Sequence, residues 1–490
     1  MSRLRTRQRT DRDRWSSDSH TPPQCSRYDL GMVQIFDSLQ RTKVPFEPRD
    51  AGKVSMYVCG PTVYDAPHLG HARLCVVFDY IRRFFSYAGY DVTFASNVTD
   101  IDDNIIKRAA SEGRTESEVA IEYTDLYYSE MARLDVLAPD IHPRATDFID
   151  GMIATIQELF DHDAAYVIEG QGVYFDTTSP EKYGQLVGRT REDMLESAGT
   201  RIEVDDKKRS PLDFVLWKAA KPGEPTWDTP WGEGRPGWHT ECVAMSLSAL
   251  GDGFDIHGGG NDLTFPHHEN ELAQASASGH DFARYWMHNG MVNVDGKKMS
   301  KSLGNFTTLA DVLDTYDPRA LRMVMLQTHY RHGMEVGTDA LEAALEGVKR
   351  LDAALRRATT AGIDAATASP NSAAQDAFMA AMNDDFSTPA ALEVIFGLAR
   401  ESNSAIDNGN LDDAATAIAT VVELAGVLGL SVGTEVAAQD DDAEIDALVQ
   451  ARTDARSDRD FAEADRVRDE LTAHGITIED TADGTIWYRA

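Results

Sequence analysis

Tyr57-Val58-Cys59-Gly60-Pro61-Thr62-Val63-Tyr64-Asp65-Ala66-Pro67-His68-Leu69-Gly70-His71 is the stretch around which the chain is organised. Residues 53–58 ahead of it read as a short apolar strand, and residues 72–85 behind it carry helical spacing. A Gly- and Pro-punctuated loop therefore joins strand to helix. That junction is where α/β sheets bind phosphates: a helix N-terminus attracts anions, Gly60 and Gly70 allow close backbone approach, and His68 and His71 lie on one helical face. Taken alone, the same residues also make a capped helix with two solvated histidines. The rest of the chain has to decide.

Outward from this junction, residues 91–95 read as a second strand and residues 102–110 as a helix, preceded by the acidic loop Asn97-Val98-Thr99-Asp100-Ile101-Asp102-Asp103. Strand, helix, strand, helix implies a parallel sheet. Residues 123–160 are mostly helical in pattern, and 167–177 alternate like a hairpin. Residues 196–238 are rich in Gly, Pro and Trp without helical periodicity. Residues 145–237 are thus expected to be an insertion between two halves of one sheet. Helical spacing returns over 238–250, followed by a strand at Phe254-Asp255-Ile256-His257 and a glycine-rich loop, Gly258-Gly259-Gly260-Asn261-Asp262. Such a loop permits backbone contact with a flat ligand or a sugar, and Asp262 can accept a ribose hydroxyl. Phe265-Pro266-His267-His268-Glu269-Asn270-Glu271 is expected to open the next helix, with Pro266 in its first turn. Asp295-Gly296-Lys297-Lys298-Met299-Ser300-Lys301-Ser302 forms a basic loop in an acidic chain, which is also how a solvated charge run looks.

Beyond residue 310 the pattern is helical, with Thr388 before Pro389 as a start signal. Residues 358–375 and 432–444, rich in Ala, Thr, Ser and Asp, read as linkers. A helical pair (445–450 and 461–474) and a hairpin (476–479 with 486–489) follow, carrying Arg452, Arg456, Arg459, Arg466, Arg468 and Trp487. The expected division is a basic extension over 1–31, halves of a catalytic domain over 32–144 and 238–310 around the insertion 145–237, a helical region over 311–431 and a small module over 432–490.

A chain of 490 residues exceeds one core, and no apolar run is long enough to span a bilayer. Cys25, Cys59, Cys75 and Cys242 are too few and scattered for a disulfide framework, which points to a reducing, cytoplasmic compartment. The net charge is -34, and only 12 of the 47 basic residues are lysine, none after Lys349. This balance resembles proteins of salt-accumulating organisms, in which repulsion is screened within ~3 Å at molar salt. Residues 1–31 differ, with seven arginines, four aspartates and no apolar periodicity, and read as disordered. They are a basic arm for nucleic acid or precede a translation start at Met32.

Cys59, Cys242, His267 and Glu271 are zinc-competent residue types, and His267 and Glu271 share a helical face at i and i+4. Spacing does not separate His267 from His268 or Glu271 from Glu269, nor does it exclude Cys75.

His68-Leu69-Gly70-His71 followed by Lys298-Met299-Ser300-Lys301-Ser302 resembles the paired signature of class I aminoacyl-tRNA synthetases, with leucine replacing isoleucine in the first motif. Tyr57-Val58-Cys59-Gly60, Gly237-Trp238-His239-Thr240-Glu241-Cys242, Phe254-Asp255-Ile256-His257-Gly258-Gly259-Gly260 and the Phe265–Glu271 stretch narrow the resemblance to the cysteinyl-tRNA synthetase family, over residues 33–489. It implies a split Rossmann-like parallel-sheet catalytic domain with an insertion, then a helical domain and a small C-terminal anticodon-binding module. It further implies one zinc ion on Cys59, Cys242, His267 and Glu271, recognising the thiol of L-cysteine. ATP with Mg2+ and tRNA(Cys) are the other implied partners, with no membrane and a monomer as the expected state. Catalysis falls on His68, His71, Lys298 and Lys301, which would hold and neutralise the spread phosphate charge. Nucleotide contacts fall on Gly70, Gly258, Gly259, Gly260, Asp262, Lys301 and Trp238. The alternatives are a ligase joining cysteine to an amino-sugar inositol in mycothiol synthesis, which resembles the same catalytic half, and a non-catalytic tRNA-binding paralogue.

Overall fold

The computed structural model describes residues 32–198, 207–294, 308–433, 442–457, 459–473, 476–481 and 484–489. The extension 1–31, the signature lysines Lys298 and Lys301, and most of the second expected linker lie outside the described residues. Among those described, no helix is long and apolar enough to cross a membrane.

A hairpin of β1 (Gln34–Asp37) and β2 (Thr42–Pro45) precedes the first half of the main sheet: β3 (Lys53–Val58), α1 (Leu69–Tyr87), β4 (Asp91–Ser96), α2 (Asp103–Glu112) and α3 (Glu116–Arg133). The second half is α6 (Trp238–Leu250), β9 (Ile256–Gly260), α7 (Glu269–Ala277), β10 (Tyr285–Asn289) and β11 (Val292–Val294). Both halves join in one parallel sheet of order β10-β9-β3-β4, with Tyr57 opposite Ala95 on one side and His257 on the other. Five consecutive residues of β3, from Val54, are buried, as a central parallel strand requires. The two halves meet where β3 adjoins β9. Cys59 leaves β3 at this seam, beside the carboxyl ends of the strands where α/β sheets hold ligands.

The glycine-rich segment departs from expectation, because Gly258, Gly259 and Gly260 are ladder residues of β9 rather than a loop. The reason is packing. A Cβ on Gly258 would stand 2.3 Å from the Phe78 ring, and one on Gly259 would stand 2.5 Å from His268. The glycines thus let α1 and the His267–His268 segment sit directly on the strand. The turn begins only at Asn261–Leu263. A wide turn over Thr264–His268, kinked at Phe265, then delays α7 to Glu269, so the helix does not open at Phe265 as expected.

Between the halves lie α4 (Ile149–Asp161), β5 (Ala165–Ile168), β6 (Gly172–Phe175), α5 (Arg191–Ala198), β7 (Phe214–Ala219) and β8 (Gly234–Pro236). The strands form an antiparallel sheet of order β5-β6-β7-β8. β7 and β8 fall in the stretch read as irregular: Phe214-Val215-Leu216-Trp217 is an unbroken apolar run without the alternation that marks a half-exposed strand. Lys218 on β7 (2.7 Å) and Arg235 on β8 both pair with Asp103, tying this sheet to the start of α2. Burial opposes the Asp103 charge, yet these bonds hold its pKa at about 2.

The chain continues through α8 (Leu309–Leu313), α9 (Pro318–Leu326), β12 (Met334–Val336), α10 (Thr338–Thr360), α11 (Ser372–Asn383), α12 (Thr388–Asp407) and α13 (Leu411–Val427). The first expected linker is shorter than its composition suggests. Alanine favours helix, so α10 runs to Thr360 and α11 starts at Ser372, where the Asn371 side chain accepts from Ala374 N. Thr388 is the first residue of α12 rather than its cap, which is Ser387. Residues from 431 onward form a separate compact unit of α14 (Asp442–Ser457), α15 (Phe461–Ala473) and an antiparallel hairpin of β13 (Ile476–Thr481) and β14 (Gly484–Arg489). Ile445, Val449, Val467, Leu471 and Ile476 are its core.

One buried ion pair fastens α9 to the catalytic half. Arg322 bonds Asp79 of α1, the Leu134 carbonyl (2.8 Å) and the Leu428 carbonyl (2.8 Å), while Arg83 donates to the same Asp79 oxygen, Oδ2, at 2.9 Å. Burial opposes the Asp79 charge, but Arg322 and Arg83 outweigh it and lower the pKa. Removing one partner of such a pair strands the other, so Arg322→Met is expected to cost about 3–5 kcal/mol at pH 7. Ionised Asp79 stabilises the fold above the unfolded-state pKa of ~3.9 and ceases to do so as pH falls through its lowered folded value. Denaturant unfolding should therefore find the wild-type advantage narrowing on acidification below pH ~4. An equal gap at every pH would contradict this account.

Candidate active site and metal centre

Four buried donors converge at the seam of the sheet. Cys59 Sγ lies 3.5 Å from Cys242 Sγ, on α6, and 3.5 Å from Glu271 Oε1, on α7. His267 Nε2 lies 2.9 Å from the same Glu271 oxygen, and all four ligand atoms fall within 4.8 Å of one another. The choices that spacing left open separate clearly. His268 turns to His288 (2.9 Å), and Glu269 accepts from Gly184 N (2.8 Å) and Val187 N (2.9 Å) of the insertion. Cys75 sits on α1 against the Tyr127 hydroxyl at 2.9 Å. Cys59, His257, His268 and Glu271 form a second, overlapping set, but it has one sulfur, and its His257 nitrogen already bonds Glu271 Oε2 at 2.7 Å.

The electrostatics of the first set fit a divalent cation. Burial pushes the Cys59 thiol well up, whereas the hydrogen bond from Cys59 draws Cys242 down to about 6. Burial also works against charge on His267, yet Glu271 and Cys242 hold its pKa at about 10. Burial disfavours the Glu271 carboxylate too, but His267 and His257 keep it ionised. The metal-free cluster therefore carries one thiolate, one carboxylate and two removable protons, on Cys59 and His267. Exchanging both protons for one divalent ion leaves the buried charge unchanged. Metal–sulfur bonds of ~2.3 Å give a tetrahedral edge of ~3.8 Å, close to the 3.5 Å between the sulfurs.

Residues around the cluster orient it, and sequence reasoning assigned His239 and His257 no role. His239, kept neutral by burial and by His267, pairs its Nδ1 with His267 Nδ1 at 2.9 Å, which leaves His267 Nε2 facing Glu271. Trp238 stacks on His267 at 4.0 Å, so one face of this expected nucleotide contact is occupied. His239 and His257 stand in quoted motifs, but only the tertiary fold brings them beside residues up to 28 positions away.

The other expected residues gather at the start of α1. His68 is the N-cap: its Nδ1 accepts from Gly70 N (3.1 Å) and His71 N (3.3 Å), while His71 Nδ1 accepts from His68 N (3.2 Å). This is a capping box built from two histidines. A ring nitrogen that accepts cannot carry the proton, so both neutral rings hold it on Nε2. Their rings stack at 3.8 Å and 14°. Burial, then the neighbouring His68, lowers His71 to about 3, and burial lowers His68 against the opposing charge of Asp262. Capped and partly buried in this way, the two histidines present neutral Nε2–H groups. Asp262, exposed on the turn after β9, is close enough for its charge to act on His68.

A helix start at the seam of a split parallel sheet, beside a buried donor cluster, is the setting in which the chain matches a class I aminoacyl-tRNA synthetase catalytic domain. Residues 45–346 match the family described as tRNA synthetases class I (C) catalytic domain, 377–432 the DALR domain, and 438–489 the cysteinyl-tRNA ligase anticodon binding domain. The chain is 50% identical over 467 residues to the cysteine–tRNA ligase of Alkalilimnicola ehrlichii, covering 94% of this chain and 100% of that one. It is 49% identical over 470 residues to the cysteine–tRNA ligase of Symbiobacterium thermophilum, with the same coverage. The Mycobacterium tuberculosis methionyl-tRNA synthetase in complex with methionyl-adenylate shares the fold, with a TM-score of 0.55 at 15% identity over 76% of this chain and 90% of that one. The chain belongs to the cysteine–tRNA ligase family. The matches after residue 376 disfavour the mycothiol alternative.

Metal analysis of the purified chain should return one divalent ion. Cys242→Ser is expected to lose it and Cys75→Ser to keep it, since Cys75 contacts Tyr127 and lies outside the cluster. Equal loss in both variants would mean that the ligand set is wrong.

Proposed function

We infer that the chain is a cysteine–tRNA ligase, which activates L-cysteine with ATP as cysteinyl-adenylate and passes it to tRNA(Cys). The observation that carries this reading is the buried cluster of two thiols, an imidazole and a carboxylate at the nucleotide crevice of a chain related to such ligases over almost its whole length. Cys59, Cys242, His267 and Glu271 are proposed to hold one zinc ion. Zinc bound there supplies a soft Lewis acid that prefers a thiolate sulfur to a hydroxyl oxygen, a distinction that sites built for a polar partner turn into discrimination of ~10⁴-fold or more.

The chain's own residues account for the activation step. The cysteine carboxylate attacks the α-phosphorus of ATP, the bond to the bridging oxygen breaks, and pyrophosphate departs with its electron pair and Mg2+. His68 and His71 donate Nε2–H to phosphate oxygens while remaining neutral, so they bring no proton that must later be removed. Lys298 and Lys301 supply positive charge as it is needed in the transition state. Gly70 leaves room at the start of α1 for phosphate, the carboxyl end of the Gly258-Gly259-Gly260 strand comes beside the nucleotide at Gly260, and Asp262 takes a ribose hydroxyl.

The charge of -34 supports a second proposal, of activity in molar salt. Counterion release drives most nucleic-acid binding and weakens with salt. A chain this anionic has to rely on hydrogen bonding, shape and stacking at exposed bases. We place those contacts in the unit after residue 431. Arg466 in this unit pairs with Glu463 (2.7 Å) and Glu470 (2.8 Å) on the solvent side, and exposed pairs of this kind exchange readily with water.

Lys301→Ala should lower the rate of cysteine-dependent ATP–pyrophosphate exchange much more than it weakens ATP binding. A change confined to the ATP Michaelis constant would sink the assigned role. Removing residues 434–490 should cost tRNA charging far more than exchange, and both reactions of the full chain should persist or rise into molar potassium chloride. Equal loss of the two reactions on truncation, or inactivity above ordinary salt, would refute the corresponding proposal.

A further inference from the structure

α3 touches the first signature and, at its far end, the helix that follows the second. On its buried face the Tyr127 ring meets the His71 imidazole edge to face, with centroids 6.1 Å apart at 84°. Its hydroxyl lies 2.9 Å from Cys75 Sγ, one turn further along α1. Tyr128 packs against Tyr127 at 5.5 Å and 75°. At the C-terminal end of α3, Arg133 reaches Asp314, which caps the end of α8, at 2.8 Å. The first residue of α8, Leu309, donates its N–H to the Pro67 carbonyl at 3.1 Å, immediately before His68.

We propose that Tyr127 is a positioning residue for adenylate formation, holding the His71 imidazole in the orientation that presents Nε2–H to ATP; this rests on the ligase reading above. The remaining restraints on His71 are slight. Its Nδ1 accepts a single hydrogen bond of 3.2 Å, and His68 covers one face of its ring. An exposed capping ring is a poor wall, and it leaves the opposite side open to rotation and to water. Tyr127 adds a large apolar ring in the edge-to-face geometry that aromatic pairs favour, and its hydroxyl lies against Cys75 of the same helix that carries His71.

Among the described residues, the groups near His71 are few. His68 sits at the N-cap with Asp262 acting on it from the turn after β9, Cys75 lies on α1, and Tyr127 on α3. Burial keeps both the Tyr127 hydroxyl and the Cys75 thiol protonated, so neither places a charge beside His71. Burial is also the leading cause of its neutrality. Losing the Tyr127 ring would admit water and return His71 toward its ordinary pKa near ~6.5. A donor that wanders costs the transition state more than the ground state.

The test uses the full chain in cysteine-dependent ATP–pyrophosphate exchange between pH 5.5 and 8.5. Tyr127→Leu is expected to lose ~10–100-fold in kcat, with the ATP KM within ~3-fold of wild type, and to gain an acid limb near pH ~6.5. Tyr127→Phe keeps the ring, and should stay within ~3-fold of wild type with an unchanged pH profile. Wild-type kinetics in Tyr127→Leu, or equal losses in both variants with unshifted profiles, would overturn the proposal. Should Tyr127→Leu not fold, nitrogen-15 histidine spectra of the wild type and Tyr127→Phe decide instead. His71 should be neutral with its proton on Nε2 at pH 6 in both, and a wild-type ring that is charged there or holds the other tautomer overturns the inference. A wild-type chain without exchange activity would count against the ligase reading alone, because the spectra still report how His71 is held.

Discussion

A thiolate and a carboxylate pressed together in a dry core repel one another unless a proton or a cation lies among them, and much of the catalytic half is arranged to meet that condition. Cys59 Sγ touches both Cys242 Sγ and Glu271 Oε1 at 3.5 Å, yet the three residues come from β3, α6 and α7. Bringing them together needs β9 beside β3, so that His257 can bond the second Glu271 oxygen at 2.7 Å. It also needs His267 and His268 to settle against that strand, which is possible because Gly259 leaves room where a side chain would collide with His268. The glycines of β9 therefore serve the donor cluster through packing.

The start of α1 meets the opposite requirement. The cluster concentrates charge where water is excluded, whereas His68 and His71 avoid charge at a half-open rim. Their capping box fixes both rings as Nε2–H donors, and stacking two imidazoles makes a second positive charge costly. The helix behind them cannot drift. Arg73 donates to the carbonyls of Met325 (2.6 Å) and His329 (3.2 Å), and Asp79 pairs with Arg322 and Arg83. The first signature is thus anchored from below by groups that never approach a substrate.

Much of this was legible in the sequence because it depends on local pattern. The β3 strand, the α1 helix, the split of the sheet around an insertion and the helical end follow from apolar spacing and turn residues, and four donor types could be named. What stayed hidden depends on neighbours distant in sequence. Spacing could not choose His267 over His268, because the choice is made by His288 drawing His268 away. Glu269 likewise turns to the backbone of Gly184 and Val187, in an insertion that carries no signature. Phe214-Val215-Leu216-Trp217 looked irregular because a strand buried on both faces lacks alternation. The neutrality of His68 and His71 was out of reach for a different reason: a histidine beside a phosphate site suggests a cation until its burial and its partners are known.

Neutral donors at the rim also resolve an apparent conflict between the charge of the chain and that of its nucleotide. ATP is a polyanion, and a protein at -34 would repel it if net charge governed binding. Screening limits such repulsion to a Debye length of ~8 Å at physiological salt and ~3 Å at molar salt. What decides binding is therefore the set of groups within a few ångströms of the phosphates. At the proposed phosphate site the chain offers two uncharged imidazoles, whose Nε2–H groups neither weaken as pH rises through neutrality nor depend on a long-range field. It also places three of its 12 lysines within residues 297–301, in the signature that follows β11. Lysine, scarce elsewhere in the chain, is concentrated in the segment proposed to meet phosphate, and the surplus of acid over the rest of the chain can persist without cost to that role.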